Sequence, residues 1–156
     1  MLSNIYALLI SVVLTVATVV IHYEFLVTRW PVRNQLISVR IGMLRLLIAI
    51  FAAHILEIIL YAVAFYLMHG HLGLGTLTGE MTGRSMDYFY FSAVSYTTLG
   101  FGDVLPAGPI RIVTAIESLN GLVLIGWSTS YTYLAMQRFS RAARRWHGET
   151  HPHRIL

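Results

Sequence analysis

The chain has neither cysteine nor lysine among its 156 residues. The first absence excludes disulfides, thiolate nucleophiles and cysteine-ligated metal centres. The second leaves arginine as the sole fixed positive charge. Charge of either sign is scarce, at 12% of residues, where a soluble domain carries roughly 25%. Hydrophobic residues make up 56%. That balance argues against a soluble globular enzyme and against a disordered regulator. A net charge of +4 would suit nucleic acid, but the positions of the charges argue otherwise. Arg29, Arg33, Arg40 and Arg45 form one group. Arg138, Arg141, Arg144, Arg145 and Arg154 form another. Together they hold nine of the eleven arginines, and each group abuts a long apolar run. This is the distribution of a membrane protein, with no nucleic-acid partner.

The first apolar run, Leu2 to Ile21, has twenty residues and no charge. A bilayer core about 30 Å thick needs roughly 20 helical residues. A secretory signal peptide would carry a basic segment ahead of such a run; none is here, and His22-Tyr23-Glu24 follows it. The second run is Leu46 to Met68 and the third Ile112 to Met136. Each is long enough to cross once.

Arginine placement sets the orientation. Thr28 to Arg45 holds four arginines and no acid, and the tail after Met136 holds five arginines and one acid. Both are expected on the cytoplasmic side. His69 to Ile110 holds Arg84 against Glu80, Asp87 and Asp103, so it is expected outside, together with the N-terminus. Three crossings satisfy every assignment.

Between the second and third spans lies a segment too short to cross. Ser85 is expected as helix N-cap with Asp87 in the first turn. An apolar and aromatic stretch runs on to Thr97, about 18 Å as a helix. Thr98-Leu99-Gly100-Phe101-Gly102-Asp103 follows, and then Pro106 and Pro109. A short helix leading into a glycine-alternating strand reads as a re-entrant loop. At membrane depth such backbone survives only when buried in protein or lining a water-filled path.

Thr97-Thr98-Leu99-Gly100-Phe101-Gly102-Asp103 resembles the selectivity filter of potassium channels, usually Thr-Val-Gly-Tyr-Gly-Asp. The resemblance covers roughly Leu46 to Gln137 and excludes the first span and the tail. It implies an all-α membrane protein: a first transmembrane helix over 1–27, a cytoplasmic amphipathic linker over 28–45, a pore domain over 46–137 and a basic tail over 138–156. Within the pore domain it implies an outer helix 46–68, a pore helix 86–97, a filter 98–103 and an inner helix 110–137. It further implies a four-fold homotetramer in a prokaryotic inner membrane, with potassium ions as the only cofactor and no metal beyond monovalent cations. The physics supports the likeness. Rings of backbone carbonyls from four chains can replace the hydration shell of a cation. Aiming them all at one axis requires alternating unusual dihedrals, which Gly100 and Gly102 supply at low steric cost. The Thr98 hydroxyl would add the innermost ring. Leu99 and Phe101 would point away from the axis and pack the filter from behind.

The departures from the pattern are specific. Phe101 stands where the family usually has Tyr and cannot tie the filter to the pore helices through a hydroxyl. Val94 stands where some members carry a buried Glu, so Asp103 needs another partner; Tyr90, one turn before Val94, is the candidate. Leu105 stands where some channels carry an aromatic ring. Gly121 falls where the family often has a hinge, with Gly126 below it; close packing is an equal reading. Leu122 and Ile125 are expected to line the cavity, and Trp127 to face lipid or a neighbouring helix.

Ionisable groups near a span centre cost about 2.5–3.5 kcal/mol and usually face protein or water. His54 and Glu57 share one face of the second span, and Glu117 and Asn120 one face of the third. They read either as a structural clasp between helices or as a proton-sensitive coupling to the gate. The linker reads as an interfacial amphipathic helix, similar by position to the slide helix of inward-rectifier-like channels. Arg29, Arg33, Arg40, Arg138, Arg141, Arg144 and Arg145 are candidates for anionic lipid, with plain positive-inside anchoring the simpler reading. The glycine-rich outer loop is expected to be mobile, and the first helix to pack on the pore's periphery as a lipid-facing collar. No span carries a ladder of arginines, and no metalloprotease signature or nucleophile–base pair points to an enzyme. A weakly selective cation channel, a potassium-transporter subunit and a non-conducting sensor or assembly subunit remain as rivals.

Overall fold

The computed structural model describes residues 1–28 and 39–149, with side chains for 1–26 and 40–138. Arg29 and Arg33 of the linker, and the side chains of Arg141, Arg144 and Arg145, lie outside the described residues. Arg40 and Arg138 are exposed.

The architecture is helical: α1 (Leu2–Tyr23) ending in a π-helical turn (Glu24–Thr28), α2 (Val39–Gly70), α3 (Ser85–Tyr96) and α4 (Ile110–Glu149). A small ribbon joins β1 (Thr76–Gly79) to β2 (Val104–Ala107). Three stretches, 2–26, 40–70 and 110–138, are long and apolar enough to cross a membrane. Helix α2 starts seven residues before Leu46, because Val39 to Arg45 contains no proline to stop it. Helix α4 likewise runs past Gln137 to Glu149, through Ala and Arg, which favour helix.

Helix α1 buries one stripe: Ala7, Ser11, Leu14, Thr18 and His22. Spacings of three and four put these on one face. The hydroxyls of Ser11 and Thr18 donate to the carbonyls of Ala7 (2.8 Å) and Leu14 (3.0 Å), so the stripe is polar yet satisfied. Leu8, Leu9, Val12, Val13, Val16 and Val20 are exposed on the other side. Helix α1 thus packs one stripe against the rest of the molecule and leaves its remaining apolar surface exposed. Trp127 faces this packing too, with its ring 5.4 Å from that of His22.

Helix α3 wedges between α2 and α4. Its Phe91 ring meets Phe65 of α2 edge-on at 5.0 Å. Tyr61, Tyr88, Val113 and Ile110 complete the core around it. The N-cap is Arg84, one residue earlier than expected, and Ser85 is already helical. The Asp87 carboxylate makes this start. It accepts the backbone N–H of Thr82 (2.6 Å) and Arg84 (3.2 Å) and the Thr82 hydroxyl (2.9 Å). Those bonds, led by the Thr82 hydroxyl, hold its carboxyl below the usual Asp range.

The outer loop is more ordered than its glycines suggest. β1 pairs antiparallel with β2, Thr76 opposite Ala107 and Gly79 opposite Val104. Gly79 has φ +111°, and a Cβ there would collide with the Asp103 carbonyl. Its glycine thus permits a close backbone approach. His69 Nδ1 accepts the Leu77 N–H at 2.8 Å, which fixes the entry to β1.

Candidate ion pathway

The backbone of α3 terminates on itself. Thr97 N–H bonds the Ala93 carbonyl (3.1 Å), Thr98 N–H bonds Ser95 (3.0 Å), and Leu99 N–H bonds Val94 (3.0 Å), with Gly100 N–H longer at 3.4 Å. The Thr97 hydroxyl also donates to Ala93, at 2.7 Å. These bonds use up amides that would otherwise compete for the strand's surroundings. Among the described residues, no carbonyl from Thr97 to Gly102 accepts a hydrogen bond. Their acceptor capacity is left free.

The dihedrals alternate. φ is +60° at Thr98, +57° at Gly100 and +81° at Gly102. Thr98 is the one non-glycine residue with positive φ among those described. A left-handed residue other than glycine costs roughly 1–2 kcal/mol. The sequence pointed to the two glycines; the alternation begins one step earlier, on a threonine no propensity rule would choose.

Residues Thr97 to Gly102 are all exposed on the single chain. Leu99 is 58% and Phe101 66% exposed, so this chain's own residues do not cover either side chain. Val94 meets the strand through its carbonyl, not its side chain. At the outer end the Tyr90 hydroxyl donates to Asp103 Oδ2 at 2.6 Å, the pair named from the sequence. That bond holds the Asp103 carboxyl below its usual range and pushes the Tyr90 phenol up. A depressed carboxyl stabilises the fold fully above the unfolded carboxylate range, and the contribution is lost as pH falls through the depressed value. Tyr90→Phe is expected to return the Asp103 titration to a higher pH. Carboxyl-carbon NMR on the labelled protein would show it; an unchanged titration would mean the bond is not what holds Asp103.

Helix α4 docks on the same helix end. The Ser118 hydroxyl donates to the Ser95 carbonyl at 2.8 Å. A Cβ on Gly121 would collide with the Tyr96 carbonyl oxygen, and would lie 2.9 Å from its carbon. Gly121 is buried in a backbone crossing, where its missing Cβ permits the close packing of α4 on the end of α3. A Cβ on Gly126 would meet no atom within 4 Å, and Leu122 is exposed.

The chain belongs to the ion channel family. The family model described as "Ion channel" matches residues 53–138, which take in most of α2, all of α3, the free-carbonyl strand and α4 as far as Arg138. This ion-channel chain is also similar to two pore potassium channel b of Oryza sativa subsp. japonica. They are 29% identical over 96 residues, which is 60% of this chain and 26% of the relative. The chain thus spans about a quarter of that relative's length. No solved structure matches it.

The polar residues of the channel's spans make three separate sets of contacts between helices. Glu117 receives the Ser92 hydroxyl at 2.6 Å. Asn120 donates to Thr18 of α1 at 2.8 Å and to Tyr61 at 3.3 Å. Glu57 and His54 belong to a third cluster with Tyr96, Ser128 and His22. Glu117 and Asn120 share one broad face of α4 but meet different partners there, Ser92 of α3 for one and Thr18 of α1 with Tyr61 of α2 for the other. His22 was missed because it sits at the boundary of an apolar run, where it reads as a flank. Its signal was the polar stripe Ser11, Thr18 and His22. His22, His54 and Glu57 present ligand atoms all within 4.8 Å of one another, a metal-compatible trio that the sequence did not suggest.

Proposed function

We propose that the chain forms a homotetrameric potassium-selective channel that conducts passively. The observation that carries this reading is the strand 98–102. Every second residue is left-handed and its carbonyls are unpaired. Unpaired carbonyls at membrane depth need another partner, and a dehydrated cation held by rings from four chains is a fitting one. In this reading Thr98, Leu99, Gly100, Phe101 and Gly102 bind potassium ions. Tyr90, Val94, Thr97 and Asp103 support them, and Leu122, Ile125 and Gly126 face the cavity. The re-entrant helix α3 points its negative end inward, favouring a cation there. The N-terminus lies outside the plasma membrane and the C-terminus inside, with the exposed arginines toward anionic lipid.

The test is flux from liposomes holding the purified chain, with potassium and sodium gradients compared and Gly100→Asp as control. Selective potassium flux lost in the variant supports the reading. Equal sodium flux replaces it with a weakly selective channel. No flux from an intact tetramer replaces it with a non-conducting subunit. In the conducting protein, external tetraethylammonium is expected to block weakly. The exposed Leu105 offers no ring for a cation–π cage, and submillimolar block in planar bilayers would reject this outer mouth.

A further inference from the structure

Four helices converge on one buried polar cluster. His22 Nδ1 lies 2.9 Å from Glu57 Oε1. The Tyr96 hydroxyl donates to Glu57 Oε2 through a short bond. His54 Nδ1 faces both that hydroxyl (2.8 Å) and Oε2 (3.2 Å). Ser128 Oγ bridges the two remaining ring nitrogens, His54 Nε2 at 3.0 Å and His22 Nε2 at 3.1 Å. His22 and Glu57 are fully buried, and His54 is 15% exposed by side chain.

Each contact needs a hydrogen between its two atoms. If His54 Nδ1 serves its two neighbours with one hydrogen, five hydrogens are required. Tyr96 and Ser128 bring one each. Two neutral imidazoles bring one each. With Glu57 ionised, the cluster is one hydrogen short. The shortfall falls at Ser128, whose single hydroxyl hydrogen can serve one Nε2 and leaves the other facing an oxygen lone pair.

We propose that the first helix, through His22, completes a binding site for a proton held jointly by His22, His54 and Glu57 behind the filter. The missing hydrogen is that proton. Placing it on either imidazole, or on Glu57, satisfies every contact, so the three residues hold it jointly. Charge balance asks for the same proton. Without it the cluster carries one net negative charge at membrane depth, where unpaired charge is disfavoured. With it the cluster is neutral. The titratable groups facing the site are His22 from α1, His54 and Glu57 from α2, and Tyr96 from α3; α4 contributes Ser128. Tyr61 and Glu117 lie further along the same packing and are bonded elsewhere. The occupied site anchors Tyr96, which is directly followed by Thr97 and Thr98.

The proposed site does not depend on what crosses the pore. The test is histidine nitrogen-15 NMR of the full chain in lipid bilayers at neutral pH. The expected spectrum has one buried imidazole with hydrogen on both nitrogens, exchanging its proton with its partner. Glu57→Gln removes the balancing charge and is expected to abolish that signal. Ser128→Ala, a milder change, removes the oxygen that faces both Nε2 atoms and is expected to weaken that signal at neutral pH. Two neutral buried rings at neutral pH, or a Ser128→Ala spectrum identical to the wild type, would overturn the proposal. So would metal on the ring nitrogens together with one zinc per chain by elemental analysis. Liposome flux is not used in any of these readouts, so the site can fail while conduction stands, and the reverse.

Discussion

Glu57→Ala is expected to destabilise the folded chain by about 3–5 kcal/mol, the usual loss when one member of a buried pair is removed. The cause is what the substitution leaves behind. His22, His54 and Tyr96 all direct a polar atom at the Glu57 carboxylate. His22 and Tyr96 are buried and have no water to turn to, and His54 is only partly exposed. The carboxylate joins α1, α2 and the end of α3, so the damage reaches three elements. Thermal melting of the purified protein in detergent would read it as a large fall in midpoint. Glu57→Gln keeps the shape and one acceptor and should lose clearly less. A Glu57→Ala melt within the error of the wild type would mean that the cluster contributes little to holding the helices.

The second large effect is expected at Gly121. Overpacking a tight contact typically costs 1–3 kcal/mol. Here the obstacle is the Tyr96 backbone carbonyl, which cannot rotate away as a side chain could. Gly121→Ala must push α4 off the end of α3, and with it the Ser118 bond to Ser95. The expected result is loss of flux, with a melting midpoint lowered as well. Gly126→Ala is the matched control. It meets no atom within 4 Å, and replacing Gly by Ala in a helix should itself be mildly stabilising. Equal behaviour of the two variants would show that the crossing at Gly121 is not tight in the working protein.

The parts of the fold that were legible in the sequence are those governed by local rules. Apolar length marked the three long helices, and Asp87 with the aromatic run marked α3. The glycine alternation marked the strand, and the shortage of partners for Asp103 led to Tyr90. What escaped depends on chain segments meeting at a distance. The pairing of β1 with β2 joins residues on either side of α3 and the strand, and no periodicity in Thr76–Gly79 announces it. His22 looked like a flank because its partners, Glu57 and Ser128, lie far along the chain. The left-handed Thr98 escaped because propensity gives a threonine no reason to be there; the helix end imposes it by claiming the amides of residues 97–100.

The ribbon also changes how force travels through the molecule. β1 and β2 are tied from Thr76 to Ala107 and from Gly79 to Val104. Glu80 N–H adds one more bond to the Asp103 carbonyl, at 3.0 Å. The chain between, with α3 and the strand inside it, is therefore a lasso closed at its own neck. A pull on the outer end of α2 or α4 reaches the neck first and is passed across it to the other helix. The lasso can be carried along by such a motion without being stretched open. To deform the strand itself, a force must enter from below, through Ser118, Gly121 and Tyr96. The ends of α2 and α4 next to the ribbon are thus mechanically shielded from the strand, and the parts of α4 that meet Ser95 and Tyr96 are geared to it.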